Sequence, residues 1–326
     1  MPDVPQVSSE LAWRDRLARW TLRCGIRRNR ALVKSGLYRV GEPAPESPVI
    51  VTANYRMTFD LVRRDLAGID AWLLVLDTRG VNVWCAAGKG TFGDREVMLR
   101  AAVTGLERHV SHRVLVLPQL SATGVSAAKV RATSGWRVVF GPVRSGDIAA
   151  FLAANMKATP QMRAITFTLA ERIVLVPVEL VGAFAGWRAL IPFGLLALGA
   201  LVSLGDSGAT IAQPLVAYLA GVAGGAALVP TLLPWLPGHA LSLKGAEAGA
   251  VLGLFAGLAL GAPPLSIGAG TLLSGAVASY LGVNFTGATP YTSPSGVEKE
   301  LRVALPLMGA AIVLAGVLWV VQAFLG

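Results

Sequence analysis

The feature that most constrains this chain is where its charges stop. From Ala164 to the C-terminus there are five basic residues (Arg172, Arg188, Lys244, Lys299, Arg302) and six acidic ones (Glu171, Glu179, Asp206, Glu247, Glu298, Glu300), out of 29 and 19 in the whole chain. A half so poor in charge cannot present an ordinary soluble surface, and its apolar runs read as membrane spans. The whole-chain figures agree, with 54% hydrophobic residues and a mean hydropathy of +0.59. Five spans are expected, near Ala189–Leu204, Ile211–Val229, Ala246–Leu260, Leu265–Val283 and Ala304–Phe324. A span needs about 20 apolar residues, roughly 17 at the lower limit, so the first and third are marginal. Five spans after a cytoplasmic N-terminus leave the C-terminus outside. Lys244, Lys299 and Arg302 then fall in the two inside loops, as the excess of cations in cytoplasmic loops requires.

The front half carries the other 24 basic and 13 acidic residues. A basic domain beside a bilayer is most simply one that stays in the cytoplasm and tolerates anionic headgroups. No recognition motif accompanies the arginines, so nucleic acid is not the expected partner. The first residues are rich in arginine (Arg14, Arg16, Arg19, Arg23, Arg27, Arg28, Arg30) and lack the apolar core of a signal peptide. Two readings of that stretch stand: an amphipathic helix on the membrane surface, or a plain solvated helix. The expected organisation is a basic N-terminal segment (1–45), an α/β domain (46–160), an interfacial linker helix (161–188), and a transmembrane domain (189–326) with a cytoplasmic loop at 284–303.

Within 46–160, apolar runs at Pro48–Ala53, Ala71–Leu76, Arg113–Leu117 and Trp136–Phe140 alternate with amphipathic stretches at Thr58–Ile69, Asp94–Val110, Ser121–Arg131 and Asp147–Met156. That alternation predicts a mainly parallel sheet covered on both faces. Such sheets bind ligands at the carboxyl ends of their strands. Polar clusters fall there: Asn54-Tyr55-Arg56, Asp77 to Lys89, Gln119 with Thr123-Gly124, and Gly141-Pro142.

The most informative run is Asn82-Val83-Trp84-Cys85-Ala86-Ala87-Gly88-Lys89-Gly90-Thr91-Phe92-Gly93. It is not a phosphate-binding loop, because Gly90 follows the Gly-Lys pair and Val83 stands where the first glycine belongs. On the residues alone, Cys85 is either a structural cysteine or a functional one without a local base. With two cysteines (Cys24, Cys85) and three histidines in the chain, cluster and zinc motifs are absent. Chemistry here would need an imported cofactor. Among the spans, Gly221-x-x-Gly224, Gly249-x-x-x-Gly253-x-x-x-Gly257 and Gly268-x-Gly270 read as close helix packing in preference to a transport path.

The run Asn82–Lys89 resembles, at every position, the cysteine motif of the mercury-methylating corrinoid proteins, the HgcA family. Similarity extends to Val51-Thr-Ala-Asn54-Tyr55 with Phe59-Asp60, to Leu117-Pro-Gln-Leu120 with Thr123-Gly-Val125, to Phe140-Gly-Pro-Val143, and to the membrane loop Asn284–Glu300. It covers nearly everything after residue 48 and is not visible in the first 45. The wider relatives are the corrinoid iron–sulfur proteins of the acetyl-CoA pathway, which share the corrinoid domain but add cluster and barrel domains.

The resemblance implies a Rossmann-like α/β corrinoid-binding domain followed by an all-α transmembrane domain, multi-pass in the inner membrane. It implies a cobalamin-type corrinoid held base-off at the sheet edge, with Cys85 as the axial ligand to cobalt. Asn82, Val83, Trp84, Ala86, Ala87, Gly88, Lys89, Gly90 and Thr91 would hold the corrin face, the small residues allowing close approach. Trp84 is alternatively core packing. Lys89 would pair with a corrin side chain, favour the thiolate, or stay solvated. Asn54, Gln119 and Thr123 would hydrogen-bond corrin amides.

The implied reaction is methyl transfer to Hg(II), a soft electrophile that must receive the methyl group with its bonding electrons. An electron-rich thiolate on cobalt suits that direction, as thiolate ligands do in certain haems. The implied partners are a ferredoxin-like protein with two 4Fe–4S clusters (HgcB) as electron donor, a folate-linked methyl donor, Hg(II) and membrane lipid. The competing readings are a membrane-bound corrinoid methyl carrier in one-carbon metabolism and a transporter with a nucleotide-binding domain.

Overall fold

The computed structural model describes residues 4–26, 28, 31–202, 208–285, 289 and 293–325. Two compact units emerge, one of Met1–Leu22 and Ile26–Thr166, the other of Arg23–Gly25 and Phe167–Gly326. Leu204, at the end of the first expected span, lies outside the described residues, as do Arg27, Arg30, Asp206 and most of 286–292.

The first unit is a mixed α/β domain. Its strands are β1 (Gly36–Val40), β2 (Val49–Ala53), β3 (Ala71–Leu76), β4 (Val114–Leu117) and β5 (Arg137–Phe140), in the order β1-β3-β2-β4-β5. Pairings β2–β3, β2–β4 and β4–β5 are parallel, and β1 runs antiparallel to β3. The helices are α1 (Trp13–Arg23), α2 (Arg56–Asp65), α3 (Val83–Gly88), α4 (Asp94–Val103), α5 (Ala127–Ser134), α6 (Ile148–Ala153) and α7 (Pro160–Arg163).

Every residue of β2 and β3 is buried, because alternate side chains feed two cores. Val49, Val51, Leu74, Leu76, Leu115 and Leu117 meet residues of α3, α4 and α5 on one face. Ile50, Leu73, Val75 and Val116 meet residues of α2 and α6 on the other. Continuous apolar strands are what a sheet covered on both faces demands.

The expected strands match β2–β5, and β1 is an addition inside the stretch read as a basic segment. The long helix expected at Asp94–Val110 stops at Val103. Gly105 is left-handed (φ 62), and a 3₁₀ turn, Leu106–Arg108, follows. The helix expected at Ser121–Arg131 begins at Ala127, capped by the Ser126 side chain on the Lys129 amide.

In the second unit, the single linker helix expected between 161 and 188 is broken. The chain there forms α8 (Leu169–Ile173), α9 (Val176–Ala183) and a 3₁₀ segment, Gly186–Leu190. Pro177 lies in the first turn of α9, and proline inside a continuous helix would delete a backbone bond and clash with the preceding turn. Gly186 is left-handed (φ 62), which ends helical continuity a second time.

The remaining helices are α10 (Ile191–Val202), α11 (Gly208–Ala223), α12 (Val229–Leu232), α13 (Leu241–Ala259), α14 (Pro264–Asn284) and α15 (Pro294–Leu325). A π-helical segment, Gly224–Leu228, joins α11 to α12. Among the described residues, four helices are long and apolar enough to cross a membrane: Ile211–Leu232, Leu241–Ala259, Pro264–Asn284 and Ser295–Leu325. A fifth crossing requires Leu169–Ala183 and Gly186–Leu201, bent by 74°, to act as one broken span.

The loop expected at 284–303 is shorter than that. Pro294 opens α15, the Ser293 hydroxyl accepts from the Gly296 amide at 3.2 Å, and Arg302 pairs with Glu298 one turn back. Proline in the first turn with a serine cap is a helix start, so 294–303 are helical.

Lys244 is a second correction. It is buried in α13 and donates to the carbonyls of Leu233 (2.9 Å) and Leu236, just past α12. Buried Arg172 donates to Thr231 and Phe167. Cations satisfy the open carbonyls at a helix C-terminus, so Lys244 is not a loop charge.

Two of the glycine runs pack helices closely: a Cβ on Gly249 would lie 2.5 Å from the Ala278 Cβ, and one on Gly221 would lie 2.7 Å from the Ser274 carbonyl oxygen, whereas Gly268 and Gly270 have neighbours at ordinary distance.

Candidate functional site at the carboxyl edge of the sheet

Chemistry at this edge depends on the loop between β3 and α3, which Asn54 organises. At the end of β2, Asn54 is buried, and its Oδ1 accepts from the Thr78 amide (3.0 Å), the Thr78 hydroxyl (2.9 Å) and the Gly80 amide (3.0 Å). Its Nδ2 donates to Asp77 Oδ1 at 3.0 Å. Asp77 Oδ1 in turn accepts from the Arg79 amide, and the Asp77 amide donates to Glu96, which Arg100 holds at 2.8 Å.

This network holds two successive residues in the left-handed region, Arg79 (φ 57) and Gly80 (φ 71). For a non-glycine residue that conformation costs about 1 kcal/mol or more and persists only where the surroundings over-determine it. Asn54 therefore builds the loop; its oxygen is fully engaged within the chain.

The loop delivers Asn82 as the N-cap of α3, its Oδ1 accepting from the Cys85 amide at 2.9 Å. Six residues are too few for an autonomous helix, so α3 depends on this cap and on burial of one side. Val83, Ala86 and Ala87 face the core. Trp84, Cys85, Gly88, Lys89 and Gly90 are exposed. Gly90 is left-handed (φ 76), and the amides of Thr91 and Phe92 both donate to the Ala86 carbonyl, so the chain doubles back beneath α3 and buries Phe92 completely. The result is a fixed platform presenting a thiol.

Gly124 sets how deep that platform sits. A Cβ there would lie 2.9 Å from both the Cα and the carbonyl oxygen of Ala87, and closer still to the carbonyl oxygen of Phe92. Only glycine permits this backbone approach. Thr123 beside it is exposed. Gln119 opens the 3₁₀ turn Gln119–Ser121 after β4, and its Oε1 is buried without a partner.

Between Asn82–Trp84 and the ends of β2, β4 and β5 lies a mostly apolar cavity of about 320 Å³, with Thr52, Leu117 and Gly141 in its wall. The Thr52 hydroxyl, 1% exposed, has no hydrogen-bond partner. An orphaned buried hydroxyl costs about 1–3 kcal/mol.

The structure thus unites Asn82–Thr91 on one short helix and its return turn. Gln119 and Thr123 fall on the neighbouring loop, and Asn54 lies beneath. Thr78 and Gly124 fall in the polar clusters read from the sequence and Thr52 in a run of the resemblance, but their contacts, and the part of Glu96, appear only in the structure. Among the described residues no three His, Cys, Asp or Glu side chains converge on a metal site.

Residues 21–152 match the family of the CO dehydrogenase/acetyl-CoA synthase delta subunit. The match takes in all five strands, the asparagine-anchored loop and α3, and it ends before the apolar helices of the second unit. Curated relatives are the acetyl-CoA decarbonylase/synthase complex subunit gamma of Archaeoglobus fulgidus, 38% identical over 125 residues (38% of this chain, 26% of that protein), and its counterpart from Methanopyrus kandleri, 40% identical over 122 residues (37% and 26%). The protein of the same description from Methanocaldococcus jannaschii is 34% identical over 125 residues (38% and 25%). The chain spans about a quarter of the length of these relatives.

Proposed function

We propose that this chain is a membrane-anchored corrinoid protein that passes a methyl group from cobalt to Hg(II), with Cys85 as the cobalt ligand. The observation that carries the reading is an exposed thiol held on a capped, glycine-seated helix turn at the carboxyl edge of the sheet. A thiolate is a soft ligand suited to such a metal.

The residues fit the cofactor. Gly88 has open space where a Cβ would stand, so the surface around Cys85 is low. The apolar cavity beside α3 would hold the corrinoid's nucleotide base, with the Thr52 hydroxyl in the wall as its polar contact. When bound, the corrinoid supplies methyl-transfer chemistry, while the protein supplies position and polarity. Asn82 and Asn54 position the thiol, while Trp84 borders the base cavity.

The corrinoid unit faces the cytoplasm in this reading, with Lys299 and Arg302 as the inside charges. Electrons come from a ferredoxin-like partner of the HgcB kind, because the two cysteines of the chain cannot hold a cluster. The methyl donor is folate-linked.

A second reading has an observation of its own. The relatives are named as subunits of an acetyl-CoA decarbonylase/synthase complex, which favours a corrinoid methyl carrier in one-carbon metabolism. Cys85 separates the two, since a carrier passing a methyl cation gains little from a thiolate ligand.

The test is the visible spectrum and cobalt content of the detergent-purified protein supplied with corrinoid, wild type beside Cys85→Ala, with methylmercury formation measured in cells. A thiolate-shifted spectrum and methylation that both vanish in the variant are expected. Cobalt present with methylation unchanged in Cys85→Ala would remove Cys85 from its role, and a cobalt-loaded wild type that forms no methylmercury would move the assignment to the carrier. A wild type without cobalt would refute both.

A further inference from the structure

Helix α1 is amphipathic in the wrong sense for a soluble protein. Its inner side carries Leu22, which is buried, and Asp15, whose carboxylate accepts from Arg56 (2.6 Å) and Arg63 (2.8 Å) of α2. Both arginines are shared with Asp60, which is fully buried. Burial opposes the Asp15 charge, but the hydrogen bond and charge of Arg63, with the charge of Arg56, outweigh it and hold the carboxyl below its ordinary range.

The outer side carries Trp13, Leu17 and Trp20, 68%, 55% and 61% exposed. Their spacing of four and three places all three on one helix face. Arg14 lies over the Trp13 ring, with Arg16 exposed on the same side. The face turned away from the protein is thus the apolar one.

A contiguous apolar face of this kind marks an interaction surface, and its composition says with what. Tryptophan rings favour the membrane–water interface. Arginines beside them are drawn to anionic lipid. The residues that end α1 and follow it, Arg23–Gly25, belong to the second unit, where Gly25 stands against Val178.

We propose that α1 is an interfacial anchor that lays Trp13, Leu17 and Trp20 into the headgroup region of a bilayer containing anionic lipid. The α/β unit is thereby tied to the membrane at its N-terminal end as well as through the chain leaving it at Thr166. This rests on the chain being a membrane protein and is independent of any cofactor.

The test uses the full chain in nanodiscs of phosphatidylcholine and phosphatidylglycerol, with plain or brominated acyl chains. Wild type is compared with the double variant Trp13→Tyr, Trp20→Tyr. Tyrosine keeps an amphipathic ring but removes the fluorophore, so the difference in emission belongs to the two tryptophans. Rings about 5–10 Å into the headgroup boundary should lose roughly half of that difference emission in brominated lipid. Difference emission equal in the two lipids, and quenched by iodide in the buffer, would overturn the proposal in favour of a solvated face or one kept for a protein partner. A chain that does not enter the discs would refute the membrane reading itself.

Discussion

Two backbone contacts, one in each unit, use the same device to opposite ends. Gly124 lets a loop press on Ala87, and Gly249 lets α13 press on α14 at Ser274 and Ala278. In the second unit the approach is reinforced by the Ser274 hydroxyl, which donates to the Gly249 carbonyl, and the contact buries what it joins. In the α/β unit the approach is made beneath a six-residue helix, and the opposite side of that helix stays open with Cys85 upon it. Close packing therefore serves cohesion in one place and presentation in the other. A thiol displayed on so short a helix needs a floor that cannot shift.

The comparison can be broken by adding carbon at each glycine. Gly249→Leu should have the largest effect, because the new side chain meets the backbone of α14 with no flexible group to yield. The membrane unit should fail to appear as a monodisperse species on size exclusion in detergent, and normal recovery would show that the helices can separate without loss.

Gly124→Ala should cost about 1–3 kcal/mol, the usual penalty of overpacking. That loss is read as a lower thermal midpoint of the α/β unit together with reduced cobalt retention. Gly88→Ala sharpens the contrast. It sits in the helix with open space about it, so alanine should stabilise by about 0.5–1 kcal/mol while lowering corrinoid occupancy. A variant more stable and equally loaded would remove the idea that low side chains serve close approach.

Much of this was legible from the chain. β2 and β3 declare themselves because both faces are buried, which leaves uninterrupted apolar runs at Val49–Ala53 and Ala71–Leu76. β1 did not, since Tyr38 and Arg39 interrupt a five-residue edge strand in an arginine-rich neighbourhood. Helix α3 is shorter than two turns, so no period could reveal it. What could have is Asn82, three residues ahead of an amide it caps.

Lys244 misled through its charge. Sequence pattern places a lysine in a loop, and only the three-dimensional course of the chain brings the carbonyls of Leu233 and Leu236 to it. Gly124 and Thr52 belong to the same class, residues whose role exists only once distant segments meet.

The openness of Cys85 has a consequence for the life of the protein before it is complete. A bare, accessible thiol does not discriminate among soft metals. On the proposed function, the ion meant as substrate is also a poison for the unloaded protein, since mercury on the sulfur would occupy the position intended for cobalt. Order of arrival then decides between a working protein and a dead one. Cys85 is exposed among the described residues, so the cell must supply the sequence of events.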